Sequence, residues 1–176
     1  MNNSILVISS TNRPESNTRI IAEFYCTILK KKAVNVSFMS LEELPDNFLV
    51  SDLYDNRSDI VENIINNKLR NVEKFVFVIP EYNGGFPGVL KLFIDGVPPE
   101  CFHGKKAGLI GLSSGKQGGS RGMDAFTNVL NYLKISVLYA KPKLSGIEKL
   151  ISENKQLIDD NAIKQLELHA EEMIHF

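Results

Sequence analysis

Apolar residues in this chain fall into short unbroken runs separated by stripes at helical spacing. Residues 5–8, Ile-Leu-Val-Ile, and residues 75–79, Phe-Val-Phe-Val-Ile, are flanked by polar positions and are too short for buried helices. Such runs predict strands covered on both faces of a parallel sheet. Residues 34–39 alternate with a period of two and predict a second strand near a sheet edge; residues 106–112 and 135–139 predict strands four and five. Between these runs the period changes. Ile20, Ile21, Phe24, Ile28 and Leu29 form one helical stripe from Asn17 onward, and Ile60, Val61, Ile64, Ile65 and Leu69 form another from about Ser58. Shorter patterns predict helices over residues 88–95 and 121–133, and Leu157, Ile158, Ile163, Leu166 and Met173 predict a terminal helix over residues 155–174. Five strands alternating with five helices predict an α/β fold, a three-layer doubly wound sandwich around a five-stranded parallel sheet with right-handed crossovers. The order 2-1-3-4-5 would place strands one and three on either side of the point where the winding reverses, which is where open α/β sheets bind ligands. Residues 40–57 carry turn residues with scattered apolar ones. They read as a surface connection, with a lid or dimer contact as the alternative.

Composition narrows the function. At 176 residues, with no repeat, low-complexity tract or linker, the chain is expected to be one domain over residues 1–176. Twenty basic against 21 acidic residues give a net charge of −1, which offers no broad attraction to nucleic acid or to an anionic membrane. The first apolar run is too short for a signal-peptide core, and no run approaches the roughly 18 residues of a membrane span. A soluble, cytoplasmic protein is expected. Cys26 and Cys101 have neither metal-ligand nor C-x-x-C spacing and read as ordinary thiols of a reducing compartment. No metal site is predicted.

Candidate chemistry concentrates in three loops, each following a strand and entering a helix. The first, residues 9–18, holds Ser10, Arg13, Ser16, Asn17 and Thr18. Hydroxyls, an amide and a guanidinium collect where free helix N–H groups and the positive dipole end attract an anion such as a terminal phosphate. Plain N-capping by Ser16 or Asn17 accounts for only part of that donor density. The loop contains neither G-x-G-x-x-G nor G-x-x-x-x-G-K-[ST], so a mononucleotide fits better than a dinucleotide or a triphosphate. The second, Pro80-Glu81-Tyr82-Asn83-Gly84 with Gly85 to follow, exposes main-chain donors and acceptors suited to a flat heteroaromatic. The third contains Ser113, Gly115, Gly118 and Gly119 and is weak evidence alone. No catalytic side chain is predicted. His103, His169 and His175 read as scattered surface residues, and Glu81 as a turn-fixing carboxylate.

These motifs resemble the NADPH-dependent FMN reductase-like branch of the flavodoxin-like fold, which includes quinone, azo and chromate reductases. The similarity rests on Pro80-Glu81-Tyr82-Asn83-Gly84, then Pro87-Gly88-Val89-Leu90-Lys91 and Ile94-Asp95. Thr11-x-Arg13-x-x-Ser16-x-Thr18 and Gly111-x-Ser113 support it. The resemblance implies FMN as cofactor, with Ser10, Arg13, Ser16, Asn17 and Thr18 on the phosphate side. It places residues 80–84 beside the isoalloxazine ring, and Ser113, Gly115, Gly118 and Gly119 on the remaining wall. It also implies a homodimer or homotetramer, NADPH or NADH as donor, and a small-molecule electron acceptor such as a quinone, free flavin or azo compound. A flavodoxin-type electron carrier and a non-enzymatic ligand-binding module are the competing expectations. Gly85 stands where many relatives have Ser, and Lys116-Gln117 changes the loop that meets the flavin edge. Donor preference and acceptor therefore stay open.

Overall fold

A computed structural model describes residues 4–53 and 56–176. Strand β1 (Ser4–Ser9) leads into α1 (Asn17–Lys31), then β2 (Asn35–Ser40), the short α2 (Phe48–Ser51) and α3 (Asp59–Ile64), which continues as a π-helical turn over Ile65–Leu69. Next come β3 (Lys74–Pro80), α4 (Gly88–Gly96), β4 (Lys106–Ser113), α5 (Ser120–Tyr132), β5 (Ser136–Val137), β6 (Lys143–Ser145), α6 (Ile147–Leu150) and α7 (Asp160–His175). The sheet runs β2-β1-β3-β4-β5, with every pairing parallel and β6 also on β4. The expected strand order is observed.

Alternation along each strand fills two cores. Leu6, Ile8, Phe75, Phe77 and Ile79 point to the face covered by α3, α4 and α5, while Ile5, Val7, Val76 and Val78 point to the face covered by α1 and α7. Because both faces are covered, β1 and β3 are buried along their whole length, and this is why they read as continuous apolar runs. No helix among the described residues is long and apolar enough to cross a membrane.

Four expectations change. The fifth strand, expected over residues 135–139, is two fragments on the same edge of β4. Between Val137, opposite Ala107, and Lys143, opposite Gly111, the chain spends two more residues than β4 does. Pro142 within that excursion has no N–H to give to a ladder, although its carbonyl accepts from Gly111 N–H at 2.9 Å. The terminal helix begins at Asp160 rather than near residue 155, since the Asp159 carboxylate caps it by accepting from Ala162 N–H at 2.7 Å. Ile60 and Ile158 are exposed, so neither belongs to the stripe assigned to it. His169 is buried, not on the surface: it continues the inward stripe of Ala162, Leu166, Ala170 and Met173, and its Nδ1 lies 2.8 Å from the Tyr25 hydroxyl on α1.

The connection over residues 40–57, of which 54 and 55 lie outside the described residues, is anchored. Ser40 and Glu43 form a capping box, buried Asp52 accepts from the main chain of Ser58 and from the Ser51 hydroxyl, and Phe48 lies against Gly96 of α4. Cys26 and Cys101 are buried free thiols, and burial pushes Cys26 up to about 12. A thiolate there is suppressed at neutral pH.

Candidate cofactor cleft

Numbered by the strand each one follows, loop one (residues 9–17) leaves β1, loop three (residues 80–87) leaves β3 and loop four (residues 113–119) leaves β4; loops one and three meet at the point where the strand order reverses. Loop one is tied down at both ends. Ser10 N–H donates to Val78 O at 3.0 Å, and Ser16 caps α1 by accepting from Arg19 N–H at 3.3 Å. Between them buried Thr11 does two things: its Oγ1 accepts from Arg13 N–H at 3.2 Å and lies 3.1 Å from the Tyr82 hydroxyl, so it links loop one to loop three across the crevice.

Loop three folds back as a tight reverse turn. Tyr82 and Gly85 exchange both main-chain hydrogen bonds, at 2.9 and 3.0 Å. Asn83 and Gly84, at φ of 51° and 81°, hold the two central positions of left-handed backbone. This is the combination that Asn-Gly serves in a type I′ turn. The turn is also fastened to loop four. Glu81 Oε2 accepts from Arg121 N–H in the first turn of α5 at 3.2 Å. The N-cap residue of α5 is Gly119, which has no side chain to do this, so a carboxylate from the neighbouring loop takes over the capping role. Glu81→Ala is expected to cost about 1 kcal/mol of stability and to leave the shape of the pH–rate profile unchanged; a thermal melt and a pH series check both.

In loop four the glycines serve packing. A Cβ on Gly119 would lie 2.7 Å from Leu112 N, one on Gly118 2.7 Å from Lys143 C, and one on Gly111 2.5 Å from Gly118 O. The loop backbone therefore lies directly on β4 and β6, closer than any larger residue permits.

Of the fourteen residues expected at the site, the structure brings Arg13, Ser16, Asn17, Thr18, Pro80, Glu81, Tyr82 and Ser113 together around one cleft of about 410 Å³. The other six do not line it. Ser10 is buried, its hydroxyl turned back to Ile8 O at 3.4 Å, Asn83 and Gly84 form the exposed turn, and Gly115, whose carbonyl accepts from the Ser113 hydroxyl at 3.1 Å, stands at an open bend. Gly118 and Gly119 are the packed pair just described. Ser114, Ile147 and Glu148 complete a wall that the sequence reading missed. Ile147 and Glu148 open α6 after Gly146, at φ of 61°. Without β6 in the prediction, nothing carried that segment back to the cleft.

The cleft lining sets Arg13 among three carboxylates, of which Glu15 alone is paired with a cation. Three carboxylates line the cleft, and each is engaged: Glu15 by Lys155 at 2.7 Å, Glu81 by α5, and Glu148 by the Ser114 hydroxyl. The Ser114 bond holds Glu148 below the usual carboxylate range. Arg13 is exposed and makes no ion pair among the described residues. Arg13, the α1 N-cap Ser16, Asn17 and Thr18 all line the cleft, a set that suits a phosphate. A larger groove of about 780 Å³ runs along the outer side of α1 past Ile20, Phe24 and Leu157. It touches neither loop three nor loop four, so volume alone does not mark the site.

A parallel sheet of order 2-1-3-4-5, with its functional loops gathered at the reversal point, defines a flavodoxin-like protein. The chain belongs to the NADPH-dependent FMN reductase family, whose model matches residues 3–143. It is similar to an NAD(P)H-dependent FMN reductase of Saccharomyces cerevisiae, 35% identical over 99 residues, which is 56% of this chain and 47% of the relative. Another NAD(P)H-dependent FMN reductase, from Pseudomonas aeruginosa, is 34% identical over 100 residues, 54% of each chain. The match spans about half the length of these curated relatives. Among solved structures, the flavoenzyme NAD(P)H:(acceptor) oxidoreductase of Paracoccus denitrificans superposes with a TM-score of 0.81 at 18% identity, covering 98% of this chain and 96% of its own. The two-electron reduced flavodoxin of Megasphaera elsdenii superposes at 0.62 and 16% identity, covering 98% and 99%. At such identities the likeness is one of fold.

Proposed function

We propose that the protein is an FMN-dependent oxidoreductase that takes a hydride from NADPH or NADH and delivers two electrons to a quinone, a free flavin, an azo compound or a similar small acceptor. The observation that carries this reading is Arg13, which makes no ion pair among the described residues and lines the cleft with the start of α1. When bound, FMN supplies the hydride-accepting ring. The chain's own work is positional. Ser16, Asn17, Thr18 and Arg13 hold the phosphate, Pro80, Glu81 and Tyr82 border the ring, and Ser113 with Ile147 closes the far wall. The Thr11–Tyr82 contact sets the separation of loops one and three before any ligand arrives, so little reorganisation is left to binding.

Side-chain acid–base chemistry has no part in this scheme. His103 and His175 are exposed outside the cleft, and His169 is enclosed between α7 and α1. We further propose that the protein works in the cytoplasm as a homodimer or homotetramer. Both free cysteines suit a reducing compartment, and the oligomer is what the resemblance to the FMN reductase family implies. The test is steady NADPH or NADH consumption by the FMN-loaded protein with a quinone. Many turnovers per flavin are expected, whereas bound flavin reduced only once identifies an electron carrier, and failure to hold flavin identifies a different ligand.

A further inference from the structure

A side chain outside the family-matched residues, on the neighbouring groove along α1, holds a carboxylate of the cleft wall. Ile151 and Leu157 pair as an antiparallel bridge, Ser152 N–H donates to Gln156 O at 2.8 Å, and Lys155 N–H donates to Ser152 O at 2.9 Å, so the segment is a small hairpin. Leu157 anchors it in the core between the sheet and α7. At its tip Lys155, with φ of 56°, donates through Nζ to Glu15 Oε2 at 2.7 Å. Glu15, with φ of 52°, is a wall residue of the cleft on the stretch between Arg13 and Ser16. Left-handed backbone is uncommon outside glycine, and here two such residues meet each other.

Glu15 puts a full negative charge beside the place where a phosphate dianion is expected. The hydrogen bond from Lys155 holds its carboxyl below the usual range, so the charge persists at neutral pH. It has to be compensated rather than titrated away. We propose that Lys155 is a specificity-determining residue of the phosphate site: its ammonium cancels the Glu15 carboxylate, so that loop one accepts a phosphorylated flavin instead of repelling it. This rests on the FMN reading above.

The ion pair leaves its side chains 61% and 79% exposed, so it adds little to the stability of the fold. What it changes is the local potential within a Debye length, about 8–10 Å at ordinary salt. Unmasking one charge close to a dianion is expected to cost roughly three- to tenfold in affinity at low ionic strength. The interaction is also absent for any flavin without a phosphate.

The experiment is a set of FMN and riboflavin titrations by fluorescence quenching on the wild type, Lys155→Met, Glu15→Gln and the double variant. Lys155→Met is expected to weaken FMN about three- to tenfold and to leave riboflavin within about twofold; the double variant is expected to recover FMN affinity to within about twofold. At about 0.5 M salt the FMN loss should shrink. Equal loss for both flavins, or no recovery when Glu15 is neutralised, overturns the assignment while leaving FMN binding standing. A wild type that binds neither flavin overturns the FMN reading, and this one with it.

Discussion

Arg13→Ala is expected to raise the dissociation constant for FMN by roughly ten- to a hundredfold, while riboflavin changes by no more than about twofold. The estimate follows from removing one charge-assisted hydrogen bond, about 1.5–3 kcal/mol. The asymmetry follows from the phosphate that only FMN carries. Arg13 is exposed and its guanidinium makes no ion pair among the described residues, so the substitution should leave the melting temperature nearly unchanged. Its main-chain N–H, which donates to Thr11 Oγ1, is retained. Parallel titrations with the two flavins check the result; an equal loss for both would place Arg13 at the ring or in the scaffold instead.

Acid should destabilise the fold through His169. Burial beside Tyr25 pushes its pKa from 6.5 down to about 4, so between those values the unfolded chain binds a proton that the folded chain refuses. Stability from this group is complete above about pH 6.5, falls as the pH drops toward 4, and is fully lost below that. The total is about 3 kcal/mol for a shift of this size. Among the described residues Nε2 has no hydrogen-bond partner, and it lies so close to Gly108 that a Cβ there would come within 2.9 Å of it. Urea midpoints at pH 7.5 and pH 4.5 should differ strongly in the wild type and much less in His169→Met. That variant is expected to be weaker at pH 7.5 because it leaves the buried Tyr25 hydroxyl without its partner. A wild-type midpoint that stays flat across this window would contradict the assignment.

Much of the architecture is legible in the sequence because burial on both faces leaves an unambiguous trace. The runs at residues 5–8 and 75–79 can belong only to central strands, and the stripe from Ile20 to Leu29 only to a covering helix. What escaped depends on single residues whose effect is tertiary. Leu157 and Ile158 look continuous with Ile163, yet Asp159 caps a new helix between them, burying Leu157 and exposing Ile158. The strand read over residues 135–139 is paired only at Ser136–Val137, and β6, beyond Pro142 and outside that reading, is the fragment that carries Ile147 and Glu148 to the cleft.

At the site, residue type was a better guide than role. Arg13, Ser16 and Thr18 line the cleft as their chemistry suggests. Gly118 and Gly119 had the composition of an anion-binding loop, and the structure uses them for close approach to β4 and β6. Asn83 and Gly84 are turn formers that aim Tyr82 rather than wall residues themselves. His169 misled because a polar residue on an apolar stripe gives no sequence sign of its partner, Tyr25, 144 positions away.

The central claim is that the mouth between loops one and three grips a flavin by its phosphate, and the most direct measurement is a side-by-side fluorescence titration of FMN and riboflavin against the wild-type protein. Saturable quenching with FMN bound at least about tenfold more tightly than riboflavin is the predicted result. Equal affinity for the two, or no quenching by either, would contradict it.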